Sequence, residues 1–221
     1  MPVPDKVIQF PYRFRLPQGF HELDLAERPE ARAERLLDSL QQSLPGIPEE
    51  QLIYALVGNQ YAVERLIDEG AVYAANFLGR SEHEPTAAST ALFTVMVRAT
   101  GSTAREPLEV IAEGVRREQG KNRAVDFVDL PVGRCLVVTE DDLVSSPLNV
   151  AGAQTTRPTV VRQIQVSLSL PDPSDIAVFT LSTQCLRDWD EYVLMMAEIC
   201  KTIGWHEADR SRIGFVLDGE G

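Results

Sequence analysis

His83 stands in the run Ser81-Glu-His-Glu84, where an imidazole between carboxylates could hold a metal ion or pass a proton. A metal site there needs a second His or Cys at ligand spacing, and none follows. Successive residues of an extended chain also point to opposite sides, so the run reads as a solvated polar loop. Glu140-Asp141-Asp142 offers oxygen ligands for a hard cation. A calcium loop sets its ligands at alternating positions around a glycine bend. This triplet runs instead into Leu143-Val144 and reads as an exposed acidic turn. Neither stretch predicts a metal centre or a cofactor.

The three cysteines, Cys135, Cys185 and Cys200, are widely spaced and form no Cys-x-x-Cys pair. They read as reduced, buried thiols. Cys185 precedes a predicted helix, whose amide dipoles would stabilise a thiolate. No His lies near it in sequence, so a small buried hydrophobe is expected. Gly101-Ser-Thr103 could bind an anion through backbone amides, but Ser102 or Thr103 serves equally as a helix cap, and the cap is expected. No Gly-x-Ser-x-Gly elbow, P-loop or dinucleotide fingerprint occurs. His21 and His206 are isolated and read as surface residues. No catalytic residue is assigned.

Charge narrows the partners. Thirty-three Asp and Glu against 21 Lys and Arg give a formal net charge of −12. Phosphate backbones and anionic membranes are bound through clustered cations, so no nucleic acid and no membrane are expected as partners. A basic protein is the electrostatically favoured partner. Met1 to Gln9 lacks the basic and apolar regions of a secretory signal, and apolar runs such as Ala91 to Val97 are too short to span a bilayer. The expected location is the cytoplasm.

The elements that must position these residues can be read from periodicity. Phe10, Tyr12, Phe14 and Leu16 alternate with Pro11, Arg13 and Arg15, which predicts a strand at a sheet edge. Pro17-Gln-Gly19 turns the chain into Phe20 to Leu25, so residues 10–25 read as an N-terminal hairpin. A helical segment follows over 29–70. Its first helix carries Ala33, Leu36, Leu37, Leu40 and Leu44. Its second carries Leu52, Ile53, Leu56, Val63, Leu66 and Ile67, with a possible break at Gly58-Asn59. Residues 71–205 hold the sheet, with strands at 71–78, 91–97, 124–130 and 134–139 and a helix from Glu106-Pro107. Residues 140–158 read as a polar excursion.

The closing unit, Thr159 to Trp205, is the most regular. Val160, Ile164, Val166, Leu168 and Leu170 share one parity, interrupted only by Arg162. Pro171-Asp-Pro-Ser-Asp175 supplies a turn. Ile176 to Leu181 is apolar on both parities, as is Leu92 to Val97, and strands of that kind are covered on both faces. Leu186, Trp189, Val193, Met196, Cys200 and Ile203 then mark an amphipathic helix. Trp189 belongs to its core stripe. Leu194 and Met195 widen the stripe, and with Trp205 they are the candidate partner-binding or self-association surface.

These elements predict one domain over 1–221, with 206–221 as a tail. The class is α+β: a three-layer α/β/α sandwich with a largely antiparallel sheet. The Pro17 to Phe20 turn, the central hairpins and the terminal strand, Pro-Asp-Pro turn, strand and helix ending in Trp together resemble the PsbP-like sandwich. Ran-binding Mog proteins, photosystem PsbP subunits, LpqN-type lipoproteins and the Eag chaperones of type VI secretion share that fold. The resemblance implies a docking module rather than an enzyme. The expected function is thus a non-catalytic adaptor or chaperone-like module that binds another protein or itself. Two alternatives stay open: a small-molecule binder or enzyme with a pocket near 140–158 and Arg157, and an immunity or antitoxin protein.

Overall fold

The computed structural model describes residues 11–43, 49–84, 87–100, 107–118, 122–144, 159–171 and 175–205. Strands β1 (Tyr12–Arg13) and β2 (Phe20–Glu22) precede helices α1 (Pro29–Ser43) and α2 (Glu49–Asp68). Strands β3 (Ala71–Arg80) and β4 (Ala88–Ala99) lead to α3 (Pro107–Arg117). Then come β5 (Arg123–Leu130), β6 (Gly133–Val144), β7 (Thr159–Ser169), β8 (Asp175–Thr183), α4 (Trp189–Thr202) and β9 (Gly204–Trp205). The class is α+β. Seven strands form one sheet in the order β2-β3-β4-β8-β7-β6-β5, and all its neighbours are antiparallel.

The order explains why two segments are apolar on both parities. They are β4 and β8, adjacent strands at the centre of the sheet. On one face Ala91, Phe93 and Val95 of β4 join Ala177, Phe179 and Leu181 of β8 in the main core, packed with Tyr192, Met196 and Ile199 of α4. On the other face Ile176 and Val178 of β8 pack with Leu136, Val138 and the α3 residues Leu108 and Ala112. Leu92 of β4 joins Val63 of α2 on that same parity. Burial of whole Phe, Leu and Ile side chains at about 1.5–3 kcal/mol each is the main term holding the layers together.

Residues 10–25 are not a hairpin. Tyr12 pairs with Trp205 across the two-stranded β1–β9 ribbon, whereas Phe20 pairs with Phe77 of β3 at the sheet edge. The intervening chain crosses over the main core instead of laddering. Phe14 sets its ring against Tyr73, Phe93 and Phe179 at centroid separations of 5.0, 5.5 and 5.7 Å. Its aromatic alternation therefore serves packing.

Two further expectations shift. Helix α2 runs unbroken through Gly58 and Asn59, its packing on the sheet outweighing the weak helix propensity of those residues. Glu140 to Val144 are no excursion: they continue β6 and pair with Gln163 to Thr159 of β7. The Ser102 and Thr103 caps, most of the Pro171 to Asp175 turn, Arg157, His206 and the tail at 206–221 lie outside the described residues.

Candidate functional site

The densest set of polar side chains lies where β8 hands over to α4. Thr183 Oγ1 donates to the carbonyl of Thr90 at 2.6 Å and accepts the N–H of Cys185 at 2.9 Å, which turns the chain out of the sheet. A short 3-10 turn, Leu186–Asp188, then leads into α4. Asp188 occupies the cap position of α4, yet its carboxylate makes no capping bond. It turns inward instead, 3% exposed, and accepts Ser81 Oγ on one oxygen and Ser89 Oγ on the other, both at 2.6 Å. Ser89 Oγ lies 2.6 Å from the hydroxyl of Tyr192, one helical turn beyond Asp188.

The environment is dry. Ser81, Ser89, Thr183 and Tyr192 are all buried, and burial above all raises the Tyr192 phenol well above its usual range. Chemically the arrangement is saturated. Serine as a nucleophile needs a base to take its proton, and here each hydroxyl already engages the carboxylate. His83, in the loop between β3 and β4, is exposed. The cluster therefore locks the α4 entrance to the β3–β4 loop, and Arg187 pairs with Glu84 on the outside. Cys185 sits beside it, half-buried, with Sγ accepting the N–H of Thr90 at 3.4 Å.

The acidic triplet is divided by the pleat. Glu140, 8% exposed, faces the α3 side and takes Arg123 Nε at 2.7 Å, with Gln163 as a second donor. Asp141 points to the opposite face. There it accepts Arg162 Nε at 2.6 Å and Nη2 at 2.9 Å from the residue directly across β7. Those hydrogen bonds hold Asp141 below the usual carboxylate range. Arg162, the lone polar member of the β7 apolar row, also lies over Trp189 at 5.4 Å from its ring centroid. The carboxylates of Glu140 and Asp141 thus serve opposite faces, and no cluster that could hold a metal ion occurs among the described residues.

The candidate partner surface resolves into one outward residue and two inward ones. Leu194 is 61% exposed, with Asp190, Ala197 and Glu198 exposed at neighbouring positions of α4. Met195 and Trp205 are half-buried against the main core, and Trp205 stacks on Tyr12 with centroids 4.6 Å apart. On α2, Val63 is fully buried, while Ile53, Val57 and Ile67 face outward. The predicted stripe is therefore wider than the surface that covers it.

Periodicity did not single out Ser81, Ser89, Asp188 or Tyr192. No sequence signal joins them, because Ser81 and Ser89 bracket the β3–β4 loop while Asp188 and Tyr192 lie about a hundred positions further along the chain. No protein-family model matches the chain, and no curated protein matches it in sequence.

Proposed function

We propose that this chain is a non-catalytic protein-interaction module, an adaptor or chaperone-like protein on a PsbP-like α/β/α sandwich. The observation that carries the reading is the outward apolar row of α2, Ile53, Val57 and Ile67, each about 40% exposed. Fourteen positions at 1.5 Å per residue give that row a length of about 21 Å, enough for a docking helix or strand. Leu194 is a second outward anchor on α4. The polar groups of the Asp188, Glu140 and Asp141 clusters are engaged with one another, which favours a structural role for them. For the pocket reading near 140–158, Glu140 and Asp141 are already engaged in ion pairs, and residues 145–158 lie outside the described residues.

The net charge of −12 favours a basic partner and disfavours nucleic acid and anionic membranes. No helix among the described residues is long and apolar enough to cross a membrane, and a cytoplasmic location is part of the proposal. The test is sedimentation velocity over a wide concentration range, together with a photo-cross-linker placed at Val57. Association or cross-linking that disappears in the Ile53→Glu, Val57→Glu double variant, at unchanged melting temperature, supports the reading. A chain that stays monomeric and cross-links to nothing overturns it.

A further inference from the structure

Among the described residues, two buried side chains keep unpartnered hydrogen-bond donors: Arg32 in the first turn of α1, and Asn76 on the face of β3 that α1 and α2 cover. Arg32, 2% exposed, stands one turn ahead of Leu36 on α1, and Leu36 packs with Leu40 and with Leu78 of β3. Its Nη2 donates to the carbonyl of Glu27 at 2.8 Å, and its Nε and Nη1 have no partner. Of the two acids in the preceding turn, Glu27 pairs with Arg35, and Asp24 Oδ1 accepts the N–H of Ala26. Asn76, 8% exposed, lies between Ala74 and Leu78 on the helix-covered parity of β3, and its Nδ2 has no partner.

The rung that contains Asn76 makes the contrast plain. It runs Asn76, Leu92, Ser182, Gln163, Glu140, Arg123 across the sheet. Ser182 donates to the Leu92 carbonyl, Gln163 to Glu140, and Arg123 to Glu140. Only the Asn76 end leaves a buried donor open. A buried guanidinium without a counter-charge is among the costliest states a folded chain can carry. Water could satisfy an amide, but it brings no charge to Arg32. Both orphans are donors, one is cationic, and a planar guanidinium matches a carboxylate or phosphate edge.

We propose that this helix-covered side of the sheet binds a small molecule through an anionic oxygen group, with Arg32 supplying the charge and Asn76 an amide donor. The site is independent of the outward α2 row. The probes are inorganic phosphate and acetate, with sodium chloride at matched ionic strength as the control for screening of the acidic surface. Melting temperature is read across each titration. A saturable rise with phosphate or acetate is expected, about 5–10 °C at a hundredfold excess over Kd, and which anion acts distinguishes the two headgroups. Asn76→Leu and Arg32→Met should abolish the rise. Equal responses in chloride, or none in any salt, overturn the proposal and leave buried water as the occupant. Should a variant not fold, the side-chain amide resonances of Asn76 in the labelled wild type decide: they shift with the anion, and resonances that stay put overturn the site.

Discussion

Asp188 and Ser89, 99 positions apart in the chain, are joined by a 2.6 Å hydrogen bond in the interior. The carboxylate that would ordinarily cap α4 is spent instead on tying that helix to the start of β4. The α4 entrance and the β3–β4 loop are consequently one mechanical unit, with Ser81 and Tyr192 as its other members.

Replacing that carboxylate should show the link directly. Asp188→Asn puts an N–H₂ group where a serine hydroxyl expects an acceptor, at a cost of about 1–3 kcal/mol. Urea unfolding should show a lower midpoint with an unchanged slope. Ser89→Ala should cost about 1 kcal/mol, and the two losses should not add, since they remove the same contact. An unmoved midpoint in Asp188→Asn would show that the network carries no stability.

The Arg162–Asp141 pair should make stability depend on acid in a defined direction. Asp141 titrates lower in the folded chain than in the unfolded one. Its contribution is therefore complete above the ordinary carboxylate range, near pH ~4, and is lost as pH falls through the lower folded value. Arg162→Met should cost about 1 kcal/mol at pH 7. The gap between variant and wild type should narrow in chemical-denaturation curves as the pH drops below ~4. A gap that stays constant with pH would assign the loss to the Trp189 contact instead.

The thiols should separate by burial. Cys135 and Cys200 are buried, and burial pushes the Cys200 thiol up to about 12. Burial raises Cys135 as well. Cys185 is half-buried. A colourless disulfide reagent at pH 8 should modify Cys185 alone in the folded protein and all three thiols in denaturant, as counted by mass spectrometry. Prompt modification of Cys200 in the folded state would contradict the placement of α4.

Gly19 should resist substitution more than the other turn glycines. It has φ of +92°, and a Cβ there would lie 2.7 Å from the Phe77 ring, while Gly79 closes on the same ring from a Cβ position at 2.9 Å. Gly19→Ala therefore adds overlap to backbone strain and should cost about 2 kcal/mol or more. Gly133, at φ +128° in open space, carries the backbone term alone, about 1 kcal/mol. Thermal melts of both variants give the comparison, and equal shifts would remove the Phe77 clash from the account.

Much of this fold was legible in the chain, and the places where reading failed are specific. The double apolarity of Leu92–Val97 and Ile176–Leu181 announced strands buried on both sides, and these are the central β4 and β8. The alternation through Phe14 looked like the same kind of signal, yet it marks a segment crossing the core, because aromatic rings can pack at any backbone pairing. Ile53 and Ile67 counted toward a buried stripe but face outward, because helical spacing says which residues share a side and not how wide the covering surface is. Arg162 broke the β7 pattern, and only the strand opposite, with Asp141 in register, accounts for it.

Local periodicity by itself determined the class, the strands from β3 to β8 and the terminal helix, since pleat and helical pitch alone sort side chains into wet and dry. The strand order and the separation of β1 from β2 were decided only in three dimensions. So were the engagement of Glu140 and Asp141 on opposite faces and the solitude of the Arg32 and Asn76 donors. Each of these depends on which distant residue arrives opposite, and a hydrogen bond or ion pair acts over a few ångströms of space regardless of how many positions of chain lie between.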